Sequence, residues 1–538
     1  MSEPVTAQMP PILKGPTDKE KKYDRQLRLW AASGQAALES ANILLLNSGA
    51  GTVGTETLKN LVLPGIGRFT IVDDAIVCEA DLGVNFFLDE SCLGRSRAEC
   101  STKLLLELNP EVRGDWYPKN QEKLDLQKIL STSDPFTLIM YTNPIQQEDL
   151  ATITAHARQN HIPVVSVHSA GFYSYFQFSL PGPFPIVDTH PEVDKTTDLR
   201  LLQPWPELSE FAKDMVQDID KLDDHDHGHL PYVVILLHFL EQWRESHDGN
   251  NPLTYKEKSE FAKFVQGGAR TNNPEGGEEN FQEAFAAINK NIKVPELEAG
   301  LKEVFAHNAT SQANGQSSFW RIARAISLFY QKHGCLPLSG SLPDMKAKSS
   351  VYVKLQSLYK DKARKDAQEV LAMVRASAGG ETVDPSEVDL FCKNARFVKL
   401  INPEPRELNL SQIFAAEKAS DEEAEEMKAQ TDGAFSQPLS NLFIYLALKA
   451  TAHNPTATAA EIMHTVTQLV PQAGEYERMQ QVAQEVARAG GGELHNISAL
   501  TGGMVAQEVI KIITKQYIPI DDTCIFDGIS SRCQVLRL

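Results

Sequence analysis

The sequence predicts an α/β domain built on a parallel sheet and interrupted by a large, mainly helical insertion. Three observations carry this reading. Apolar strand-like runs alternate with amphipathic helical patterns up to about residue 180. Helix-period segments joined by polar loops then continue to about residue 485. The strand–helix texture returns for the remainder. The chain therefore divides into a disordered lead-in over 1–20, the first part of the α/β domain over 21–180, the insertion over 181–485 and the completion over 486–538.

The elements follow in order. "MSEPVTAQMPPILKGPTDKE" is Pro-rich and polar, and reads as a lead-in and not as a secretory signal. "NILLLNS" (42–48), "RFTIVDD" (68–74), "FTLIMYTN" (136–143) and "IPVVSVHS" (162–169) read as buried strands. "VGTETLKNLVL" and "SRAECSTKLLLELN" are the helices between them, and alternation of this kind implies a parallel sheet covered on both faces. The Pro/Gly break "LPGPFP" ends the series. In the insertion, Val351, Leu355, Leu358, Ala363, Ala367, Val370 and Val374 make one apolar stripe on a long helix. "NNPEGGEEN", "NATSQANGQSS", "SAGGETVDPSE" and the acidic run at 417–433 read as surface loops. After "ARAGGGELHN", "SALTGGMVAQEVIKIITKQ" is an apolar helix and "TCIFDG" a short strand.

Composition narrows the function classes. A net charge of −19 argues against a nucleic-acid partner, because phosphate binding needs a basic face. The strongest apolar run of the chain, "LPYVVILLHFL" (230–240), is too short to cross a bilayer and contains a histidine. The 7 cysteines are scattered without a CxxC pair, which points to free thiols in a reducing compartment and away from a structural zinc. "DDHDHGH" (223–229) alternates His225, His227 and His229, but the run precedes a helical pattern and reads as a polar helix start, so no metal site is assigned.

Gly49, Gly51 and Gly54 form G-x-G-x-x-G between a strand and a helix. In that context the first glycine permits a tight turn, the second lets phosphate approach the backbone, and the third lets helix pack on sheet. Asp73 ends the next strand, where an acid can accept ribose hydroxyls. The fold is Rossmann-like. On these residues alone, a dinucleotide oxidoreductase and an ATP enzyme remain equally open.

The flanking strings are more specific. "KKYDRQLRLWAASGQAALESANILLL", "LKNLVLPGIGRFTIVDD", "GVNFFLDESCLGRSRAE" and "LHNISALTGGMVAQEVIKIITKQ" closely resemble the adenylation domains of the ubiquitin-activating enzyme superfamily. "TYKEKSEFAKFVQ", "SFWRIARAISLFY" and "LPLSGSLPDMKAKSSVYVKLQSLYKDKARKDA" resemble one branch of it, the regulatory subunits of heterodimeric neddylation-activating enzymes. The resemblance implies a ThiF/MoeB-like adenylation fold, and it covers nearly all of the chain beyond residue 20.

It also implies what this chain lacks. Catalytic members carry Asp-x-Asp after the second strand, whereas here Asp73 is followed by Ala75. Their Asn-x-x-Arg-Gln element reduces to Asn85 followed by Phe86, Phe87 and Leu88. Arg97 stands after Gly94 where they place a phosphate-binding lysine, which keeps the charge and changes the geometry. "MYTNPIQQ" (140–147) has no metal-binding aspartate, and Cys335 and Cys392 have no nucleophile setting. The glycine loop and Asp73 therefore read as vestigial, with no thioester cysteine, no cofactor held by this chain and no metal. The resemblance places ATP and Mg²⁺ in a partner's site, with Arg25 reaching across a dimer to the ATP phosphates. Read from local sequence alone, Arg25 caps a helix or pairs with Asp24.

Gly502, Gly503, Val505, Val509 and Ile512, with Ile513, are expected to help bury the dimer interface, a role compatible with packing inside the domain. The implied partners are a catalytic subunit, a ubiquitin-like modifier and the cognate conjugating enzyme, in cytoplasm and nucleus, without nucleic acid or membrane. The implied function is that of a non-catalytic subunit in modifier activation. The alternatives are a self-sufficient adenylate-forming enzyme using its own glycine loop and, behind it, a nicotinamide-dependent oxidoreductase.

Overall fold

The computed structural model describes residues 15–119, 124–192, 195–271, 277–310, 317–401, 409–432 and 437–538. The chain forms two compact units, one of Met1–Phe184 with Ile401–Leu538, the other of Pro185–Leu400.

The first unit is built on βα repeats that give a mixed sheet. Its strands are β1 (Asn42–Leu46), β2 (Arg68–Val72), β3 (Arg113–Tyr117), β4 (Leu138–Thr142), β5 (Val164–Ala170) and β6 (Tyr173–Ser179). Two further short strands, β7 (Phe184–Val187) and β8 (Val398–Ile401), pair with each other. β9 (Thr523–Asp527) and β10 (Arg532–Leu536) complete the large sheet, whose order is β10-β9-β6-β5-β4-β1-β2-β3. β1 to β5 run parallel, while β6, β9 and β10 extend the sheet antiparallel. The four strands expected from apolar runs are present. β1 and β5 are buried along their whole length, as covering on both faces requires. β3, with the sequence RGDWY, lies at the sheet edge and is only half-buried, so it lacks an apolar signature.

Three helices matter for the site: α1 (Asp18–Lys22), α2 (Asp24–Ser40) and α3 (Thr52–Val62). Residues 1–14 of the expected disordered lead-in lie outside the described residues. The rest of it does not fit that expectation, because Thr17 and Glu20 form a reciprocal capping box that starts α1.

The insertion is shorter than expected. Only 185–400 form the second unit, and the segment from 401 belongs with the sheet. The reason is packing. The helices Leu442–Ala450, Ala459–Leu469 and Glu477–Ala489 share one apolar cluster with Tyr173 and Tyr175 of β6 and Ile525 of β9. The acidic run at 417–433 is also corrected, since a helix runs from Leu410 to Gln430. Asn409 caps it, Ala, Glu, Lys and Met favour it, and Asp421 turns inward to pair with Arg478.

In the second unit, the predicted long helix spans Ser349–Arg375 and joins two cores. Leu355 and Tyr359 enter one, and Ala367, Val370 and Val374 enter the other. Cys335 and Cys392 are buried, and apolar burial pushes the Cys392 thiol up to about 12, which keeps it protonated. The alternating histidines do not share a face. His227 is buried against Glu278 (2.7 Å) and Phe281, while His225 and His229 stack on each other outside. Among the described residues, only Asp223, His225 and Asp226 of this run group their ligand atoms.

The helix His495–Thr514 is apolar and long enough to cross a bilayer by composition, yet it is a core helix lying on α3. At Gly502 a Cβ would sit 2.8 Å from the Thr57 nitrogen and 2.9 Å from the Glu56 carbonyl carbon, whereas at Gly503 it would meet open space. We predict that Gly502→Ala loses about 1–3 kcal/mol because backbone cannot give way. Gly503→Ala should instead gain up to about 1 kcal/mol of helix propensity. Denaturant titration of the two variants distinguishes them.

His168 of β5 is fully buried, and desolvation pushes its pKa from the ordinary 6.5 down to about 4. Between these values the unfolded chain takes up the proton first, so stability falls as pH falls through that window. Unfolding of wild type and His168→Phe should show wild type losing about 3 kcal/mol relative to the variant from pH 6.5 to 4. A flat difference contradicts the assignment.

Candidate functional site

The glycine loop leaves the carboxyl end of β1 at the position where the strand order reverses, with β2 on one side and β4 on the other. In sheets of this kind that crevice is where nucleotides bind. Gly49 and Gly51 take positive φ (62° and 71°), as the motif predicts, and Gly51 caps α3. At Gly54 a Cβ would lie 2.3 Å from Asn47 Oδ1 and 3.2 Å from the Leu45 side chain, so this glycine lets α3 settle on β1.

What fills the cradle is protein. At Gly51 a Cβ would lie 3.1 Å from Arg97 Cζ. Arg97 opens the helix Arg97–Leu108, and its guanidinium is buried under the loop. Nε donates to Asp73 Oδ2 (2.7 Å) and Nη2 to Asp73 Oδ1 (3.1 Å), a bidentate pair. Nη1 donates to the carbonyls of Gly49 (2.9 Å) and Ala50 (3.2 Å) and to Asp81 Oδ1 (3.1 Å). Asn47 Nδ2 donates to the Gly51 carbonyl (3.1 Å) and to Asp73 Oδ2 (3.0 Å). Asp73, expected at the ribose position, is therefore committed to Arg97, Asn47 and the Ala75 amide. Burial pushes its pKa up against the pull of these donors.

The first turn of α3 is committed as well. Val53 N donates to Glu493 Oε2 (2.8 Å), and Ser498 Oγ donates to the same oxygen (2.5 Å). Glu493 is placed by a backbone bridge to Gly171, in the tight turn between β5 and β6, and by the 2.8 Å bond from Gly171 N to the Gly492 carbonyl. Beside it, His495 contacts Glu56 (3.1 Å) and carries Phe86 stacked on its ring at 3.6 Å. Asn85 stays buried, capping Phe87 N through Oδ1. Sequence reasoning noted the Lys-to-Arg change at 97 but not its consequence. It missed Glu493 and His495, for which the only local signal is an acid following three glycines.

The segment "YDRQLRLW" is anchored at both ends. Tyr23 is buried, its hydroxyl donating to Glu111 (3.0 Å) and accepting from Asn109 (3.0 Å). Trp30 is buried too, with Nε1 donating to Gln35 and its carbonyl accepting from Gln516 (3.0 Å). The helix breaks at Trp30 and Ala31. Between the anchors Asp24, Arg25, Arg28 and Leu29 are exposed. Asp24 pairs with Arg28 (2.8 Å), so the local pairing considered for Arg25 is not formed, and among the described residues no ion pair involves Arg25.

The expected interface set is corrected in part. Val505, Val509 and Ile512 are buried within this chain, and Gly502 is closed by α3. The same helix leaves Leu500, Gly503, Met504 and Gln507 at least partly accessible on its other face.

A βα sheet with this loop at its crossover defines the class: residues 23–538 match the ThiF family, and the chain belongs to it. Its relatives narrow this further. It is 34% identical over 97% of its length to the NEDD8-activating enzyme E1 regulatory subunit of Xenopus laevis, covering 99% of that protein. The subunit of the same name from Danio rerio is 33% identical at 97% and 99% coverage. The subunit AXL of Arabidopsis thaliana is 32% identical at 97% and 100% coverage. Within the ThiF family the chain thus stands among the NEDD8-activating enzyme E1 regulatory subunits.

We predict that Arg97→Ala, which strands Asp73 and Asp81 in the interior, costs about 3–5 kcal/mol in urea unfolding. Arg97→Lys keeps the charge but not the fork, and should lose less.

Proposed function

We propose that this chain pairs with the catalytic subunit of the NEDD8-activating enzyme and carries out neither adenylation nor thioester formation itself. Its own loop does not fit a nucleotide. The groups that would meet phosphate and ribose are bound to Arg97 and Glu493, and this is the observation that carries the reading. ATP and Mg²⁺ belong on this account to the catalytic subunit, where the nucleotide supplies the adenylyl group for the carboxyl terminus of the ubiquitin-like modifier.

What this chain adds is Arg25. The buried Tyr23 and Trp30 fix a short helix, and between them Arg25 is exposed, with Asp24 engaged by Arg28 and no ion pair to Arg25 among the described residues. A guanidinium fork suits phosphate oxygens, and one delivered from a neighbouring subunit offsets charge that shifts as pyrophosphate leaves. The second unit, which holds Cys335 and Cys392 buried with both thiol pKa values pushed up by burial, supports a wall for the modifier and not a thioester carrier. The cognate conjugating enzyme would meet the assembled pair.

The test is modifier-driven ATP–pyrophosphate exchange. The isolated chain should be silent and the pair active. The pair carrying Arg25→Ala should lose about 10²–10³-fold in exchange while still assembling. Exchange by the isolated chain would show a self-sufficient adenylating enzyme, and an unaffected Arg25→Ala pair would remove the arginine from the mechanism.

A further inference from the structure

The first turn of α3 is the place where a loop of this kind receives phosphate, because its amides are unpaired and its dipole is positive there. In this chain the amide of Val53 is met by a buried carboxylate, whose pKa burial pushes up against the pull of its hydrogen-bond donors. That carboxylate comes from residue 493, across the whole insertion, and is held by Ser498. At the same helix start Thr52 Oγ1 is buried without a hydrogen-bond partner, while Asn47 Oδ1, also without one, lies against Gly54. Thr52 is the first residue of α3 and is completely inaccessible.

We propose that Glu493 is a built-in anion. Its carboxylate occupies the phosphate position of the loop and clasps the C-terminal part of the split α/β unit to the N-terminal part. The site is an oxyanion site whose resident is covalently part of the chain. Vacated, it takes inorganic phosphate or the terminal phosphates of a nucleotide. The proposal deepens the reading of the loop as one that takes no nucleotide, and rests on it. It does not depend on the assignment of Arg25.

Other features carry less. The exposed Asp223–His225–Asp226 group is an acidic cluster with nothing to indicate a ligand. Phe86 on His495 is an exposed apolar surface with no sign of what covers it.

The test is anion rescue of stability in the full chain. Glu493→Ala should lower Tm by about 5 °C or more, since it leaves a buried amide unpaired and a cavity. Inorganic phosphate, compared with chloride at equal ionic strength, should then raise the Tm of Glu493→Ala saturably by about 3 °C. Wild type and a control of lowered stability, Val466→Ala in the same unit, should show no such difference. Pyrophosphate and ADP form parallel arms that tell a free phosphate site from one that also accepts a nucleotide. A response in Glu493→Ala no larger than in Val466→Ala overturns the proposal, as does saturable phosphate binding by wild type at the loop. Should the alanine variant fail to fold, Glu493→Gln keeps the volume and removes the charge. It should melt below wild type without a phosphate response, and a Tm equal to wild type overturns the anion assignment. Modifier-driven exchange by the wild-type pair reads the proposed function separately, because it is measured with Glu493 in place.

Discussion

The guanidinium of Arg97, buried beneath the glycine loop, is the contact on which the site depends. Two carboxylates, Asp73 and Asp81, lie inside the domain with it, and the pairing is what makes their burial tolerable. The same group ties two loop carbonyls to the end of β2. A lysine at this position could supply charge but not five donors in a fixed fork. Arg97 is therefore an internal cross-link, and the loop is a structural joint.

The joint has a second half. Chain topology separates the N-terminal and C-terminal parts of this domain by more than two hundred residues that form their own unit. The sheet unites them through β6 and β9. The helix His495–Thr514 lies on α3 through Gly502, and Glu493 binds the amide at the start of α3. The outward-facing resource left over is the short helix between Tyr23 and Trp30, with its exposed arginines.

The sequence announced the elements whose side chains are uniformly apolar. β1, β2, β4 and β5 were legible because both of their faces are covered. β3 was not, since an edge strand such as RGDWY pairs by its backbone while its side chains remain half in water. The helix ending at Gln430 was hidden by its charge, because a solvated helix and a polar loop share a composition. The extent of the insertion was misjudged because helices that cover a sheet and helices of a separate unit have the same period. At the site, the glycine conformations followed directly from the motif, but its occupant did not. Glu493 is brought to Val53 only by the fold, and the burial of Val505 and Val509 likewise depends on how their helix packs into the domain.

Arg97 and Glu493 close the loop from within. The most direct measurement is a count of nucleotide sites by equilibrium titration of ATP with Mg²⁺ into the isolated chain, and then into the assembled pair. The expected result is no site on the chain alone and one site per pair. Stoichiometric binding by the isolated chain, abolished by Gly51→Val, would contradict it and restore the glycine loop as a working nucleotide site.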